Sequence, residues 1–459
     1  MKRNFSTFAV ANSHRLLKAC LIIAPILAAI MALTSDYNRH PDETHHFEAT
    51  KYYINHFLPP EIGDPSVINS YSAYGVSYLN YHWIEYFLAG KFVFLLSPFV
   101  PNELVAARFF NVFLFFGLTL FFLYRSRENS DELIVQVFLL ITPQVWYVFG
   151  YVNNDAFALF ISIVAVYQIA YPASLLNKFL ETDTFSAGLP GGVWFGVLAG
   201  FLLIVKPNYW TFLVFIALWL LAVFSFNTRI LKKFAFMFLI AVTVLSFRVG
   251  MDFYVNGETN FVGFSYVNKF FGGLETTGKL LAYQEEVAEY AYRPSTIEKD
   301  LKNSHVGLRL KDKGLSFAQL FTGWKWHESS FYSFVGVYNY MNIVASDRYY
   351  KLVLLLYLGF IAYLIFSVIR LKDKKAMKQL AIVLFACFLT IFVSVMLSWI
   401  YAFQAQGRYL FPIIPMIGLF VYANRQHLNN LIVHAFLVLA FLLSAYSFIF
   451  VGLARINSM

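Results

Sequence analysis

Apolar runs of roughly 20 residues, the length a helix needs to cross a bilayer core of about 30 Å, recur along this chain between short polar breaks. The pattern predicts helices near Leu16–Ser35, Glu103–Tyr124, Glu132–Gly150, Ala156–Tyr171, Gly191–Val205, Tyr209–Phe226, Phe234–Tyr254, Tyr349–Ile369, Leu380–Trp399, Tyr409–Tyr422 and Leu431–Val451. That is about eleven spans. The run Ile84–Val100 is apolar too, but it carries Lys91 and is broken by Pro98 and Pro101. It reads as a helix lying in the membrane interface. With that assignment the basic residues Arg125, Arg127 and Lys178, the 229–233 and 370–378 runs and Arg425 all fall on the inner side, as the positive-inside rule requires.

The expected fold is therefore an all-α polytopic membrane protein, a single transmembrane domain over 1–459. A first outer loop over 36–102 carries interfacial helices, and a large outer loop covers 255–348, rich in Lys and Glu between Lys279 and Lys313. No repeat of fixed period is present. Composition agrees. Of 459 residues, 59% are hydrophobic, 20% aromatic and only 13% charged, against about 25% charged in a soluble domain. The net charge of +9 sits largely in short loops, where it is a topology signal and not a nucleic-acid footprint. The two cysteines, Cys20 and Cys387, lie inside apolar runs and suggest neither a disulfide nor a nucleophile. The apolar run near the start is too long and too poorly ended for a cleaved signal peptide, so it reads as a retained helix.

Polar residues cluster at the ends of the spans. Pro41-Asp42-Glu43-Thr44-His45-His46-Phe47 follows the first span. Asn153-Asn154-Asp155, Lys206-Pro207-Asn208-Tyr209, Trp324-Lys325-Trp326-His327-Glu328 and Gln404-Ala405-Gln406-Gly407-Arg408-Tyr409 fall at other span ends, all on the outer side in this topology. Ionisable residues at membrane depth must be solvated, paired or functional. One carboxylate of Asp42 and Glu43 could act as a general base, the other orienting it or binding a divalent cation. Helix capping by Asp42 or Thr44 is the simpler account of one acid. It does not explain Asp, Glu, His and His in a row. His46 could position a phosphate or carboxylate. Asn154 is expected to cap a helix, and Asp155 could assist the acidic pair. Lys206 and Arg408 are outer-side cations, against the inner bias of the others, and suit a phosphate, Arg408 bidentately. Snorkelling and interfacial anchoring are the alternatives. The aromatic group around His327 and Glu328 suits either a membrane belt or stacking on a sugar.

These residues in this order resemble the GT-C superfamily of integral-membrane glycosyltransferases, and most nearly the bacterial polytopic family called DUF2142. That family carries Pro-Asp-Glu-x-x-His-Phe, matched by Pro41, Asp42, Glu43, His46 and Phe47. A Lys-x-x-Tyr segment is similar to Lys206 through Tyr209. Ser-Phe-x-x-Phe-Gly is loosely matched from Ser330 to Gly336, without the family's Trp-Gly. Gly-Arg-Tyr-Leu-x-Pro is matched by Gly407, Arg408, Tyr409, Leu410 and Pro412. The chain also looks similar to the serotype-converting glucosyltransferases that modify lipopolysaccharide O-antigen. The resemblance implies a GT-C-like bundle in a bacterial inner membrane, with its active site on the periplasmic or outer face. It implies a polyprenyl-phosphate sugar donor and a surface polysaccharide or lipid-linked glycan acceptor. Asp42 and Glu43 would then be catalytic, and His46, Asp155, Lys206, Tyr209, His327, Glu328, Arg408 and Tyr409 would serve donor-phosphate or substrate binding. A transporter or flippase of lipid-linked sugars would also need charges at headgroup level. It would carry polar sites near the midplane, often in paired repeats. A purely structural assembly subunit would not depend on Asp42.

Overall fold

The computed structural model describes residues 2–81, 83–127, 131, 133–224, 227–259 and 278–458. Glu132 and Phe226, ends of two expected spans, and 260–277 of the large outer loop lie outside the described residues. The described residues are helical almost throughout, with one two-stranded hairpin among them pairing Val337–Tyr338 with Ile343–Val344.

Among the described residues, six helices are long and apolar enough to cross a membrane: Ser13–Thr34, Glu103–Arg125, Thr228–Asn256, Asp347–Leu371, Lys374–Ile400 and Asn430–Leu453. They become seven if the bent pair Asp155–Ala170 and Leu175–Glu181 is one span. Leu189–Val205, Pro207–Val223 and Gly407–Ala423 are shorter apolar helices. The chain is thus an all-α, membrane-embedded protein in which most expected spans exist as helices but not all reach spanning length.

One expected span is broken. The stretch 132–150 is not a single helix: Leu133–Val137 runs into a 3₁₀ turn over Phe138–Leu140, and a new helix, Pro143–Phe149, starts at Thr142. The sequence carries the reason. Thr142 accepts a hydrogen bond from Gln144 N at 3.1 Å, and Pro143 takes the first helical position, where no N–H is missed. Residues 133–150 are all buried, so their apolarity reflects protein on every side and not lipid.

The run 84–100 forms a helix over Trp83–Leu96, packed on Glu43–Asn55 and Glu103–Arg125. Gly90 permits this: a Cβ there would lie 2.7 Å from Thr50 O and from the Tyr53 backbone. Helices Glu43–Asn55 and Trp83–Leu96 are thereby clamped together beside Glu103–Arg125. Helix Lys2–Thr34 packs against Glu103–Arg125, Pro143–Phe149 and Asn430–Tyr446. Both ends of the chain therefore enclose the broken central segment.

The orientation can be checked directly. Exposed positions Tyr340 and Lys374 are expected on opposite sides. In a background with Cys20 and Cys387 changed to Ser, Tyr340→Cys should react with an impermeant thiol reagent in intact cells. Lys374→Cys should react only after permeabilisation. The reverse pattern would invert the topology.

Candidate active site

The segment that follows the first helix is fixed by one ion pair. Glu43, fully buried, accepts from Arg108 Nε and Nη2, both at 2.7 Å. Arg108 also donates to the carbonyls of Ala32 (3.1 Å), Ser35 (2.6 Å) and Asp36 (3.0 Å). These lie at and just beyond the end of the first helix, where carbonyls lack intrahelical partners. One guanidinium thus ties the exit of the first helix, the start of Glu43–Asn55 and the helix Glu103–Arg125 together. Glu43, one of the two expected catalytic acids, is committed to this pairing.

Asp42 precedes it in the left-handed region, at φ 59°. Its backbone opens the helix, since His46 N donates to Asp42 O at 3.1 Å, but its carboxylate makes no cap hydrogen bond. Side-chain capping by Asp42 is therefore not what the structure contains, and Thr44 donates instead to Asn38 Oδ1 at 2.8 Å. The Asp42 carboxylate is 42% exposed and turns toward Arg408 Nη2 and Tyr78 Oη, each 3.5 Å away. Left-handed backbone at a non-glycine residue costs about 1–3 kcal/mol and persists only where neighbours enforce it. Glu43 and Arg108 are those neighbours.

Arg408 is the hub. Its Nη1 lies 3.7 Å from Asp155 Oδ2, and its Nε donates to Gln406 Oε1 at 2.6 Å. Asp155 is fully buried and also paired with Lys206, whose Nζ reaches Asn154 Oδ1 at 3.2 Å. The sequence clusters at 42, 155, 206 and 408 therefore meet as an alternating chain: Asp42, Arg408, Asp155, Lys206. Asn154 holds the N-cap position of the next helix, but its side chain makes no cap hydrogen bond. Asn153 supplies one instead, accepting from Ala156 N at 3.1 Å, and this leaves the Asn154 carboxamide for Lys206. Tyr409 lies beside both cations, its ring 5.6 Å from Lys206 Nζ and 5.7 Å from the Arg408 guanidinium carbon. Tyr209 is fully buried within electrostatic reach of Asp155. His46 is buried, bonded to Tyr86 Oη at 2.6 Å and stacked on Tyr78 at 4.0 Å. It bears on Asp42 only through Tyr78.

An open cleft of about 680 Å³ exposes Asp42 and Arg408 beside Gln144, Tyr151, Asn339 and Gln406. Lys206 and Asp155 stand behind its wall. A second cavity, about 1500 Å³ and lined almost wholly by apolar side chains, runs between helices Asp347–Leu371, Lys374–Ile400 and Ile413–Ala423. The two share a partition. On helix Trp326–Val335, Ser333 faces the cleft while Phe331 faces the apolar cavity. On the next segment Gly407 and Arg408 face the cleft and Leu410 the cavity. Gly407 makes the junction possible: its N donates to Ser333 Oγ at 2.7 Å, and a Cβ there would stand 2.1 Å from Phe334 N. His327 lines the apolar cavity and Glu328 is paired with Lys325 at 3.5 Å, so neither joins the acid–cation chain. Among the described residues no group of three or more His, Cys, Asp or Glu could hold a metal ion.

Sequence reading missed Arg108, Gln144, Tyr151, Asn339 and Glu85. Arg108 carried a signal, an arginine near the outer end of an apolar span. Glu85 did not, because it lies in a run read as interfacial. It is buried with Lys206, Asn154 and Arg248 as its electrostatic neighbours, and burial pushes its carboxyl well above the ordinary range. No family model, no curated protein and no solved structure matches this chain.

Two outcomes are expected. Arg108→Met leaves Glu43 buried without its partner and should destabilise the protein by about 3–5 kcal/mol. Adding Glu43→Gln should recover part of the loss, as read by denaturation in detergent. Glu85, an acid whose folded pKa is raised, favours the folded state below its unfolded pKa, and that contribution is lost as pH rises through the folded pKa. The melting temperature of Glu85→Gln should therefore fall less than that of the wild type between mildly acid and alkaline pH. Parallel curves would mean that Glu85 does not titrate in this way.

Proposed function

We propose that this protein is an inverting glycosyltransferase that moves a sugar from a polyprenyl-phosphate donor to a glycan or lipid acceptor at the outer face of the membrane. The observation that carries this reading is the shared wall between the acid–cation cleft and the long apolar cavity. A ligand with a charged head and a long apolar tail could place its head at Arg408 and its tail along Phe331 and Leu410. A cleft alone would suit any small anion, and an apolar groove alone any lipid. Their junction at 407–410 favours a molecule that is both.

Asp42 takes the proton of the acceptor hydroxyl as that oxygen attacks the anomeric carbon from the face opposite the phosphate. The bond between anomeric carbon and phosphate oxygen breaks, and the phosphate leaves with the electron pair. Arg408 stabilises the charge that develops there. Lys206 acts from the second row, holding Asp155 so that Asp155 holds Arg408. His46 and Tyr78 fix Asp42, and Glu43 fixes the backbone that presents it.

The decisive experiment is transfer from a lipid-linked donor by purified, folded variants. Asp42→Asn should lower turnover by roughly a hundredfold or more, within the range of general-base contributions. Arg408→Lys keeps the charge but loses the planar fork, and should also impair transfer. Wild-type turnover by a well-folded Asp42→Asn protein would remove the reading.

A further inference from the structure

Three carboxamides line the cleft, and each has its oxygen engaged inside the protein. Gln144 Oε1 accepts from Val337 N at 3.3 Å, Asn339 Oδ1 from Tyr340 N at 2.8 Å, and Gln406 Oε1 from Arg408 Nε at 2.6 Å. The partner is donor-only in every case, a backbone N–H or a guanidinium. This fixes which end of each amide is oxygen, because the flipped amide would set N–H against N–H. The three NH₂ groups are thereby left over. No described residue accepts from them, although Gln144 and Asn339 are more than nine-tenths buried.

The backbone is arranged to present them. Asn339 and Met341 hold positive φ, 55° and 64°, in the hairpin loop, as Asp42 does across the cleft. The hairpin is anchored from behind, where Asn339 N donates to Tyr147 Oη at 3.0 Å and Tyr350 Oη donates to Gly336 O at 2.9 Å. Strained, over-determined backbone of this kind gathers at ligand sites.

The charge inventory narrows the ligand. Asp42 and Arg408 are the two charged residues lining the cleft. Arg408 already faces two carboxylates, and the chain Asp42, Arg408, Asp155, Lys206 sums to zero formal charge. With Arg408 given to the donor phosphate, no second cation lines the cleft to meet a sugar carboxylate. An ammonium would meet the positive ends of three N–H dipoles. A ring bearing hydroxyl oxygens satisfies all three donors.

We propose that Gln144, Asn339 and Gln406 are the specificity-determining residues of a subsite for a neutral, hydroxyl-bearing sugar, and that they select against amino sugars and sugar acids. This rests on the glycosyltransferase reading for the identity of the cleft but makes a separate claim about it. Each donor lost should weaken binding about 3- to 10-fold, the contribution of one hydrogen bond. Replacing a donor with a carboxylate oxygen should do more and should change the order of preference.

The test measures binding apart from turnover. The full-length protein in nanodiscs is titrated with short isoprenyl phosphates carrying either glucose or glucosamine. Wild type should bind the glucosyl probe at least about tenfold more tightly, an unpaired polar group on either side carrying a full desolvation cost. Gln144→Glu and Asn339→Asp keep the oxygen that accepts from Val337 N or Tyr340 N and turn the NH₂ into an acceptor. Each should narrow or reverse the preference, whereas a merely structural role would lower affinity for both probes alike. Equal or tighter binding of the glucosaminyl probe by wild type, an unchanged preference in both variants, or no binding of either probe would overturn the inference. Transfer is then followed with whichever probe binds. Selective binding without transfer to any glycan acceptor would sink the glycosyltransferase reading and leave the sugar specificity standing. Transfer without the preference would do the opposite.

Discussion

The Arg108 guanidinium is the constraint on which the segment after the first helix, and with it the position of Asp42, depends. A buried arginine is costly unless its donors are satisfied. Here they are spent on a carboxylate and on carbonyls at the end of a membrane helix. The pairing therefore answers two problems at once, the unsatisfied helix end and the attachment of a polar loop to an apolar bundle. It also sets the two neighbouring acids apart. Glu43 points inward and is consumed by the anchor. Asp42, one residue earlier and forced into the left-handed region, points into the cleft.

From that anchor the cleft is built by layers. Arg408 touches Asp42 at the surface and Asp155 beneath, and Lys206 supports Asp155 from further below. Every charge is matched by its neighbour, which is how ionisable groups are tolerated at membrane depth. The apolar cavity adds the second property, a long lipid-like lining that stops at the helix Trp326–Val335. Polar cleft and apolar cavity are two faces of the same few residues.

Much of this was legible in the sequence, and the exceptions have physical causes. The polar clusters at 42, 155, 206 and 408 stood out because charge at the end of an apolar run is expensive, and the fold brings them together. The fifth, around His327 and Glu328, had the same signature but belongs to the apolar cavity and the exposed surface. The breaks in 132–150 were written in Thr142 and Pro143, yet uniform hydrophobicity outweighed them, because periodicity cannot separate lipid on all sides from protein on all sides. Asn153 and Asn154 could not be ranked as caps, since either is chemically suited and only the local backbone chooses. The amides were invisible for a different reason. Gln144, Asn339 and Gln406 come from distant segments, and their meaning lies in which atom of each is already taken.

The buried Asp155 gives the cleft a resident anion. It lies between Lys206 and Arg408, fully shielded, and cannot diffuse away. On the proposed reading, an incoming phosphate would share Arg408 with a competitor at permanent, very high local concentration. Affinity for anions is lowered by that competition, and lowered equally for those that arrive and those that must depart. On the proposed glycosyltransferase reading this would be a device for turnover: the vacated cation would be reclaimed at once by the carboxylate that never left, and the spent lipid phosphate would have less to hold it in place.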